Sequence, residues 1–263
     1  MTKKLSVVAM AMALAAVCMC SLSAMAQDLS TARGVLEAHL EATGGINAWK
    51  AVDDLYMEAS IEVGTPMGDL VIGLKSWSIF PGYGYTQMSL TSGPDGIPPE
   101  AVNMKAYYTP LEGWMESAQG RQNLADVSPQ MKQQLMQTSP KTELNYLAYN
   151  DSLLVLQADD TFDGHDVYVV SVTILEVEIT VKLMIDKESL LILAQEAETP
   201  AGAATTVMGE YFEVSGLMFA GGQTSETPQG NVSTTVDKIE VDSGITPAQL
   251  ATKSGARAVV TPE

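Results

Sequence analysis

Apolar and polar residues alternate along most of this chain. In the clearest run, residues 177–186, mostly polar residues stand between the apolar ones, which are Val177, Ile179, Val181, Leu183 and Ile185. A period of two places successive side chains on opposite faces of a strand, so this run predicts a strand with one buried face and one solvated face. Several such runs, separated by turn-forming clusters, fill residues 153–242. They predict a meandering antiparallel sheet that has to bury one face.

The first part of the chain predicts a helix followed by further strands. Residues 28–43 carry an apolar stripe at helical spacing, with Ser30 or Thr31 as the N-cap and Gly44-Gly45 as the stop. His39 lies within that stripe and is predicted to be a packing residue with its polar atoms satisfied. A short helical turn is predicted at 46–52, and the strands predicted next are 55–63, 69–80, 83–90 and 102–109.

The middle of the chain interrupts the strand pattern. Ser128 is a potential cap, Pro129 stands at the first helical position, and helix formers follow to residue 137. Residues 140–150 are predicted to be helical or irregular. We expect this segment to lie as a helical lid across an opening of the sheet. The alternative is a surface excursion with ordinary packing.

Strands return after the insertion. The apolar phase shifts between Val236 and Ile239 in the last one, which predicts a β-bulge there. A closing helical turn is predicted at 247–251 and a loose tail at 253–263. The strands predicted in this part are 153–159, 167–175, 177–185, 190–198, 205–214, 217–227 and 231–242.

The first 26 residues have the pattern of a cleaved signal peptide. Lys3 and Lys4 precede a short apolar stretch, and Ala24-Met25-Ala26 is a small-x-small cleavage site. This predicts export to the periplasm, with an uncleaved N-terminal anchor as the alternative. Cys18 and Cys20 lack the Leu-small-small pattern that lipidation requires. No later apolar run is long enough to span a membrane, so an integral membrane protein is not expected. Residues 27–252 are predicted to form one domain.

The charge balance excludes some partners. The formal net charge is −18, and removal of Lys3 and Lys4 with the signal makes it more negative. Such a chain repels nucleic acid and anionic lipid headgroups. Both cysteines lie in the predicted signal, so residues 27–263 have no thiol or disulfide chemistry.

Candidate catalytic and metal-binding chemistry is sparse. The acidic loop around His165 (Asp159, Asp160, Asp163, Asp166) lacks the spacing and the distal glutamate of a calcium loop, and a solvated turn explains it better. His39 and His165 are the only histidines, and there is no Gly-x-Ser-x-Gly motif. Glu176 and Glu178 share a strand face as solvated groups rather than as an acid–base pair. We therefore predict no enzyme, no metal and no cofactor.

A series of short motifs resembles a known family in its order. The resemblance spans residues 28–243, and the motifs are Gly44-Gly45, Ile46-Asn47-Ala48-Trp49, Leu55-Tyr56-Met57, Tyr107-Tyr108, Gly113-Trp114, Asp163-Gly164-His165-Asp166-Val167-Tyr168, Lys182-Leu183-Met184-Ile185-Asp186, Gly209-Glu210-Tyr211-Phe212 and Gly216-Leu217-Met218-Phe219. This order resembles that of the outer-membrane lipoprotein-sorting (LolA-like) proteins of Gram-negative bacteria. Two features differ: Ala220 stands where relatives often have proline, and the early strands have no arginine to match the lid-locking arginine of the carriers.

The resemblance implies a mainly β (α+β) fold, in which a curved antiparallel sheet forms an incomplete β-barrel around an apolar cavity, with an N-terminal helix and a mid-chain helical lid. It also implies a carrier of lipoprotein acyl chains or of another lipid, with membrane-bound donor and acceptor proteins as partners. A buried methylene contributes about 0.8 kcal/mol, so an apolar pocket binds an acyl chain without a charged contact. The candidate lining residues are Met57, Ile61, Ile72, Leu74, Trp77, Met88, Met104, Trp114, Met131 and Met136.

Two alternatives to a carrier remain. One is a non-catalytic envelope scaffold or interaction module with a filled core, in which the ten candidate residues are ordinary core. The other is an accessory domain like those attached to secreted zinc peptidases, although the chain has no zinc motif. A cavity large enough for an alkyl chain distinguishes the carrier from the scaffold.

Overall fold

The strands of this protein form a curved antiparallel sheet that does not close. The computed structural model describes residues 28–124, 141–175, 179–199, 202–227 and 230–255. Its helices are α1 Ala32–Ala42, α2 Ile46–Ala51, α3 Thr142–Tyr146 and α4 Pro247–Ser254. Its strands are β1 Asp54–Val63, β2 Leu70–Ile79, β3 Tyr83–Ser92, β4 Met104–Tyr108, β5 Gly113–Ser117, β6 Gly120–Asn123, β7 Leu154–Leu156, β8 Asp160–Phe162, β9 His165–Ile174, β10 Ile179–Asp186, β11 Ile192–Thr199, β12 Gly202–Met208, β13 Tyr211–Val214, β14 Leu217–Ala220, β15 Gly222–Thr227 and β16 Gly230–Val241.

The main sheet has fourteen strands in the order β6-β5-β4-β3-β2-β1-β16-β15-β12-β11-β10-β9-β7, with β8 also paired to β9. The pair β1–β16 joins the N-terminal strands to the C-terminal ones, and β6 and β7 remain at the two ends of the strand order. This confirms the predicted mainly β fold with a curved half-barrel and helices.

The sheet has two faces with different cover. Val35 and Leu36 of α1 pack with Val170 and Leu183 of the sheet, and Trp49 of α2 packs with Leu55. We call the face that carries α1 and α2 the inner face and the opposite one the outer face. Helix α4 packs on the outer face.

The caps of α1 follow the sequence pattern. Thr31 is the N-cap, and its hydroxyl accepts a hydrogen bond from the Gly34 amide at 3.1 Å. His39 is buried, and its Nδ1 lies 2.8 Å from the carbonyl oxygen of Leu190, which confirms it as a satisfied packing residue. A Cβ on Gly44, which has φ +121°, would lie 2.4 Å from the Gly216 carbonyl oxygen. The absence of a side chain there therefore lets another segment pass close to the end of the helix.

The predicted bulge in β16 is confirmed. Lys238 pairs with Glu58 and Val236 pairs with Ala59, so Asp237 is the extra residue. Its carboxylate accepts a hydrogen bond from the Ser60 hydroxyl at 2.8 Å.

Two predicted strands, 205–214 and 217–227, are wrong as single strands. Each breaks near a glycine, and β13 and β14 form a separate two-stranded sheet. The Gly221 amide donates to the Glu210 carbonyl at 2.7 Å, and a Cβ on Gly222 would lie 2.2 Å from the Thr234 carbonyl oxygen. The hairpin turns away from the sheet there because Leu217 and Phe219 are apolar and pack against Trp49 of α2.

Other predicted segments lie partly or wholly outside the described residues. The signal at 1–26 and the helix at 126–137 belong to this group. The predicted tail begins inside α4, because that helix continues to Ser254, which is buried. Within the described ranges, no helix has the length and apolar content needed to cross a membrane.

Candidate functional site

Six of the ten candidate lining residues lie together on the inner face. Residues paired across antiparallel strands share a face, and the register pairs Ile61 with Ile72, Leu74 with Met88, and Met88 with Met104. We call this group the inner apolar patch, and its members are Met57, Ala59, Ile61, Ile72, Leu74, Met88, Leu90 and Met104. Met57 also packs against the cluster around Trp49, which places the patch on the side of the helices.

The inner apolar patch is only partly covered. Ile72 and Leu74 are each 8% exposed, whereas Met57, Met88 and Met104 keep intermediate accessibility. A methionine side chain is unbranched and adapts to irregular apolar shapes. The patch is therefore a deformable apolar surface on the side of the sheet that carries α1 and α2.

Trp77 and Trp114 lie on the outer face, apart from the other six. Trp77 stacks between Tyr56 and Tyr85, with ring centroids 4.8 and 5.5 Å away. Both tryptophans belong to the cluster that Leu250 of α4 covers. Trp77 and Leu74 are separated by an odd number of positions on β2, so their side chains lie on opposite faces of the sheet. This spacing could have been read from the sequence. Met131 and Met136 lie outside the described residues.

A strip of hydroxyl groups continues the inner face beyond the apolar patch. The hydroxyl oxygens of Ser76 and Thr86, both buried, lie 3.2 Å apart. Tyr108 forms a hydrogen bond with Ser78, and burial raises the pKa of the tyrosine. A Cβ on Gly84 would lie 2.2 Å from the Tyr108 ring, so the ring lies across this glycine. These residues are short or aromatic polar groups within strands, and the sequence did not distinguish them from ordinary strand residues.

Helix α3 is anchored on the same side of the sheet. Lys141, just before it, donates a hydrogen bond from Nζ to the Val52 carbonyl oxygen at 2.6 Å. The same ammonium lies 4.2 Å from the centroid of the Phe80 ring, and burial lowers its pKa. Leu144 packs against the cluster that contains Trp49. The helix is thus held over the junction of α2 and β1.

Helix α3 also carries a carboxyl group in an apolar setting. Burial raises the pKa of Glu143 to about 7. The residue keeps intermediate accessibility, so part of it still reaches the surface. Its charge adds to burial in raising the pKa of Tyr146 and of Tyr211, whose hydroxyl donates to the Ile192 carbonyl at 3.1 Å. Glu143 was not among the predicted site residues, because nothing in the neighbouring sequence separates it from a surface glutamate.

Two hollows lie elsewhere in the described structure. One, of about 530 Å³, opens where the β13–β14 hairpin leaves the sheet, and Met208, Tyr211 and Thr234 are among its lining residues. The other, of about 670 Å³, lies beside α4 between Ser243 and Lys253. None of the eight candidate residues that the structure describes lines either hollow.

The acidic loop around His165 forms ion pairs instead of a ligand set. The Asp159 carboxylate lies 2.7 Å from Lys187 Nζ, and the Nδ1 of His165 lies 3.4 Å from Asp186. Across the described ranges, no three His, Cys, Asp or Glu side chains are grouped closely enough to hold a metal ion.

No protein-family model and no curated protein matches this sequence. Its fold is shared by solved structures, among them the following three. A DUF1329 family protein from Desulfovibrio piger is 16% identical, with a TM-score of 0.56 over 82% of this chain and 96% of that one. A putative outer membrane lipoprotein-sorting protein domain from Vibrio parahaemolyticus is 13% identical, with a TM-score of 0.53 over 83% and 98%. A LolA superfamily protein from Nitrosomonas europaea is 12% identical, with a TM-score of 0.53 over 78% and 92%. The predicted resemblance is confirmed as a likeness of fold.

Proposed function

We propose that this protein is a periplasmic carrier or binding protein for the acyl chains of lipoproteins or for another lipid-like apolar ligand. The ligand is held non-covalently against the inner face of the half-barrel. The observation that carries the proposal is the inner apolar patch, where Met57, Met88 and Met104 keep accessible surface on the side of the sheet that carries the helices.

The energetics of such a site need no charged contact. A ten-carbon chain that leaves water contributes about 8 kcal/mol at about 0.8 kcal/mol per methylene. Association consumes several kcal/mol of this, so dissociation constants from about 0.1 mM to a few millimolar are the expectation for a ten-carbon chain. Flexible methionines suit chains of different length and saturation.

Two further observations support the location and the cargo. The pattern of residues 1–26 predicts export through the inner membrane. The fold is shared with a protein described as an outer membrane lipoprotein-sorting domain. Delivery between membranes would in addition require membrane-bound donor and acceptor proteins.

Native mass spectrometry tests the proposal most directly. Protein isolated gently from the periplasm is expected to carry an added mass of a lipid, which organic extraction removes and fragmentation identifies. A bare polypeptide mass, together with no binding of 1-decanol to the purified protein, would contradict the proposal.

A pair of variants locates the site. Replacement of Met88 and Met104 by glutamine puts two amides into the inner apolar patch, and the affinity for 1-decanol is expected to fall at least about tenfold. Gln87→Ala is the matched control, because Gln87 is adjacent to Met88 on β3 and its side chain therefore lies on the outer face. Equal affinities in the double variant and the control would exclude the patch as the binding surface.

The alternative function is a non-catalytic envelope scaffold with a filled core. The densely packed inner face of β9–β10 favours it, because the apolar side chains of α1 are buried against that part of the half-barrel. A protein that binds no decyl probe and folds normally would fit the scaffold.

A further inference from the structure

The charged side chains of most described strands lie on one face of the sheet. Residues paired across antiparallel strands share a face, so the register of β1–β6, β10–β12, β15 and β16 places every Asp, Glu, Lys and Arg of these strands on the outer face, among them Glu58, Lys75 and Glu116. Asp237, the extra residue of the bulge, points to the same side, because its carboxylate accepts from Ser60. In a chain with 32 acidic residues, the inner face of these strands is thus uncharged.

The inner apolar patch continues along one row of the sheet into a hollow. Ile61 of the patch pairs with Thr234, Thr234 pairs with Gln223, and Gln223 pairs with Met208. The last three residues line the hollow of about 530 Å³ at the β13–β14 hairpin, which we call the hairpin hollow. Its lining includes residues of both faces, because the sheet is interrupted where the hairpin leaves. Neighbouring strands are about 4.8 Å apart, so Gln223 lies about 10 Å from Ile61 and one amphiphile can contact both.

The polar groups that line the hairpin hollow from the inner face are uncharged. The Gln223 amide offers donors and an acceptor, and the Thr234 hydroxyl offers both as well. Within the described ranges, neither side chain has a hydrogen-bond partner in the protein, and both keep accessible surface. The Tyr211 hydroxyl donates to the Ile192 carbonyl at 3.1 Å and keeps its oxygen as an acceptor. Glu210, the one charged residue in the described lining, is exposed to solvent.

This environment disfavours ionised head groups. An ion that leaves water without a counter-charge loses hydration that nothing restores, whereas an uncharged head exchanges hydrogen bonds with water for hydrogen bonds with protein. An anion would in addition meet Glu210 and a net charge of −18. A cation would gain little from Glu210, since contacts between exposed charges are weak and are screened by salt. Burial also raises the pKa of Glu143, which acts on Tyr211 from α3, so the neutral form of a carboxyl is favoured there too.

We propose that the ligand is an uncharged amphiphile, whose apolar chain lies on the inner apolar patch and whose hydrogen-bonding head lies in the hairpin hollow at Gln223 and Thr234. A hydroxyl, ester or amide head fits these groups. The inference rests on the proposed function and adds the chemical class of the ligand and the place of its head.

Three probes with a ten-carbon chain test the chemical class, measured by calorimetry with the full mature chain at pH 7.5. They are 1-decanoylglycerol, decanoate and decylammonium, in about 0.3 M salt to screen the net charge. The uncharged 1-decanoylglycerol is expected to bind at least about fivefold more tightly than either ion.

A gain of function tests the place of the head. Gln223→Lys supplies a counter-charge in the hairpin hollow, and it is expected to raise the affinity for decanoate at least about fivefold. Asn231→Lys is the matched control, because it adds the same charge at an exposed position on the outer face of β16, opposite Glu226. Its effect on decanoate is expected to stay below about twofold.

The outcomes separate the two proposals. If the three probes bind equally, or if an ion binds most tightly, the uncharged class is excluded while the apolar carrier stands. If both lysine variants raise the affinity for decanoate equally, only the net charge matters and the head does not lie at Gln223. If none of the probes binds, the proposed function and the head site fail together.

Discussion

The inner face of the half-barrel has two halves with different cover. On β9 and β10, Val170 and Val172 have no exposed surface, and Val35 and Leu36 of α1 pack against them with none either. On β1–β4, the methionines of the inner apolar patch keep accessible surface on the same face of the same sheet. One half is therefore packed like a protein core, and the other leaves apolar side chains partly accessible, which is where we propose that the ligand binds.

The difference follows from the side chains. Branched residues and leucines on β9 and β10 meet a complementary stripe on α1, and close packing of this kind stabilises the fold. The other half combines methionines with the Ser76–Thr86 hydroxyl pair and with Gly84, which packs under an aromatic ring. Such a surface gives up some stability and gains adaptability.

The largest expected effect is the loss of a core side chain on the packed half. Leu36→Ala is expected to lower the free energy of unfolding by about 2–5 kcal/mol, because the fully buried side chain leaves a cavity. Met88→Ala on the other half is the matched control, with an expected loss below about 1.5 kcal/mol, since its side chain is partly exposed. Urea denaturation measures both. Equal losses would mean that the two halves are packed alike.

The second effect has the opposite sign and concerns Glu143 on α3. The folded state raises the pKa of Glu143 from 4.5 to about 7, so it holds the proton more tightly than the unfolded chain. Stability therefore falls as the pH rises from about 4.5 to 7. Glu143→Gln avoids this loss and is expected to be about 1–3 kcal/mol more stable than the unmodified protein at pH 8, without ligand.

The same comparison at pH 4.5 is the control for that prediction. There both folded states carry a neutral side chain at position 143, so the difference in unfolding free energy should shrink towards zero. A difference that stays constant from pH 4.5 to pH 8 would show that charge at this position does not control the stability.

The smallest expected effect concerns His39 on the packed half. Its contribution to stability changes with pH in the opposite direction to that of Glu143. Burial lowers the pKa of His39 below 6.5, so the folded state holds the neutral ring, which donates to the Leu190 carbonyl. This contribution is complete above pH 6.5 and is lost as the pH falls below it. Between pH 7.5 and 5.5, the unmodified protein is expected to lose about 1 kcal/mol more than His39→Gln, measured by urea denaturation.

His165→Gln serves as the control for that measurement. His165 is the other histidine of the chain, and its side chain is 57% exposed. The change in unfolding free energy of His165→Gln between pH 7.5 and 5.5 should therefore be closer to that of the unmodified protein than the change of His39→Gln is. If both variants change the pH dependence equally, the buried ring of His39 is not the origin of the effect.

Local residue patterns were sufficient to predict most of the elements and the fold class. The alternation of apolar and polar residues predicted most strands, the phase shift in β16 predicted its bulge, and Thr31 with Gly44-Gly45 marked the ends of α1. All of these features arise from residues that are close in the chain, where backbone geometry and capping are decided.

Which residues come into contact could not be predicted from these local patterns, because it depends on how distant segments pack. Trp77 and Trp114 are as apolar as the members of the inner apolar patch, but α4 covers them on the opposite face. The hairpin β13–β14 leaves the sheet because its apolar side chains pack against Trp49, far away in the sequence. Glu143 acquires its pKa from burial between α3 and β13. Burial and the electrostatic environment depend on distant segments, so a local pattern does not contain them.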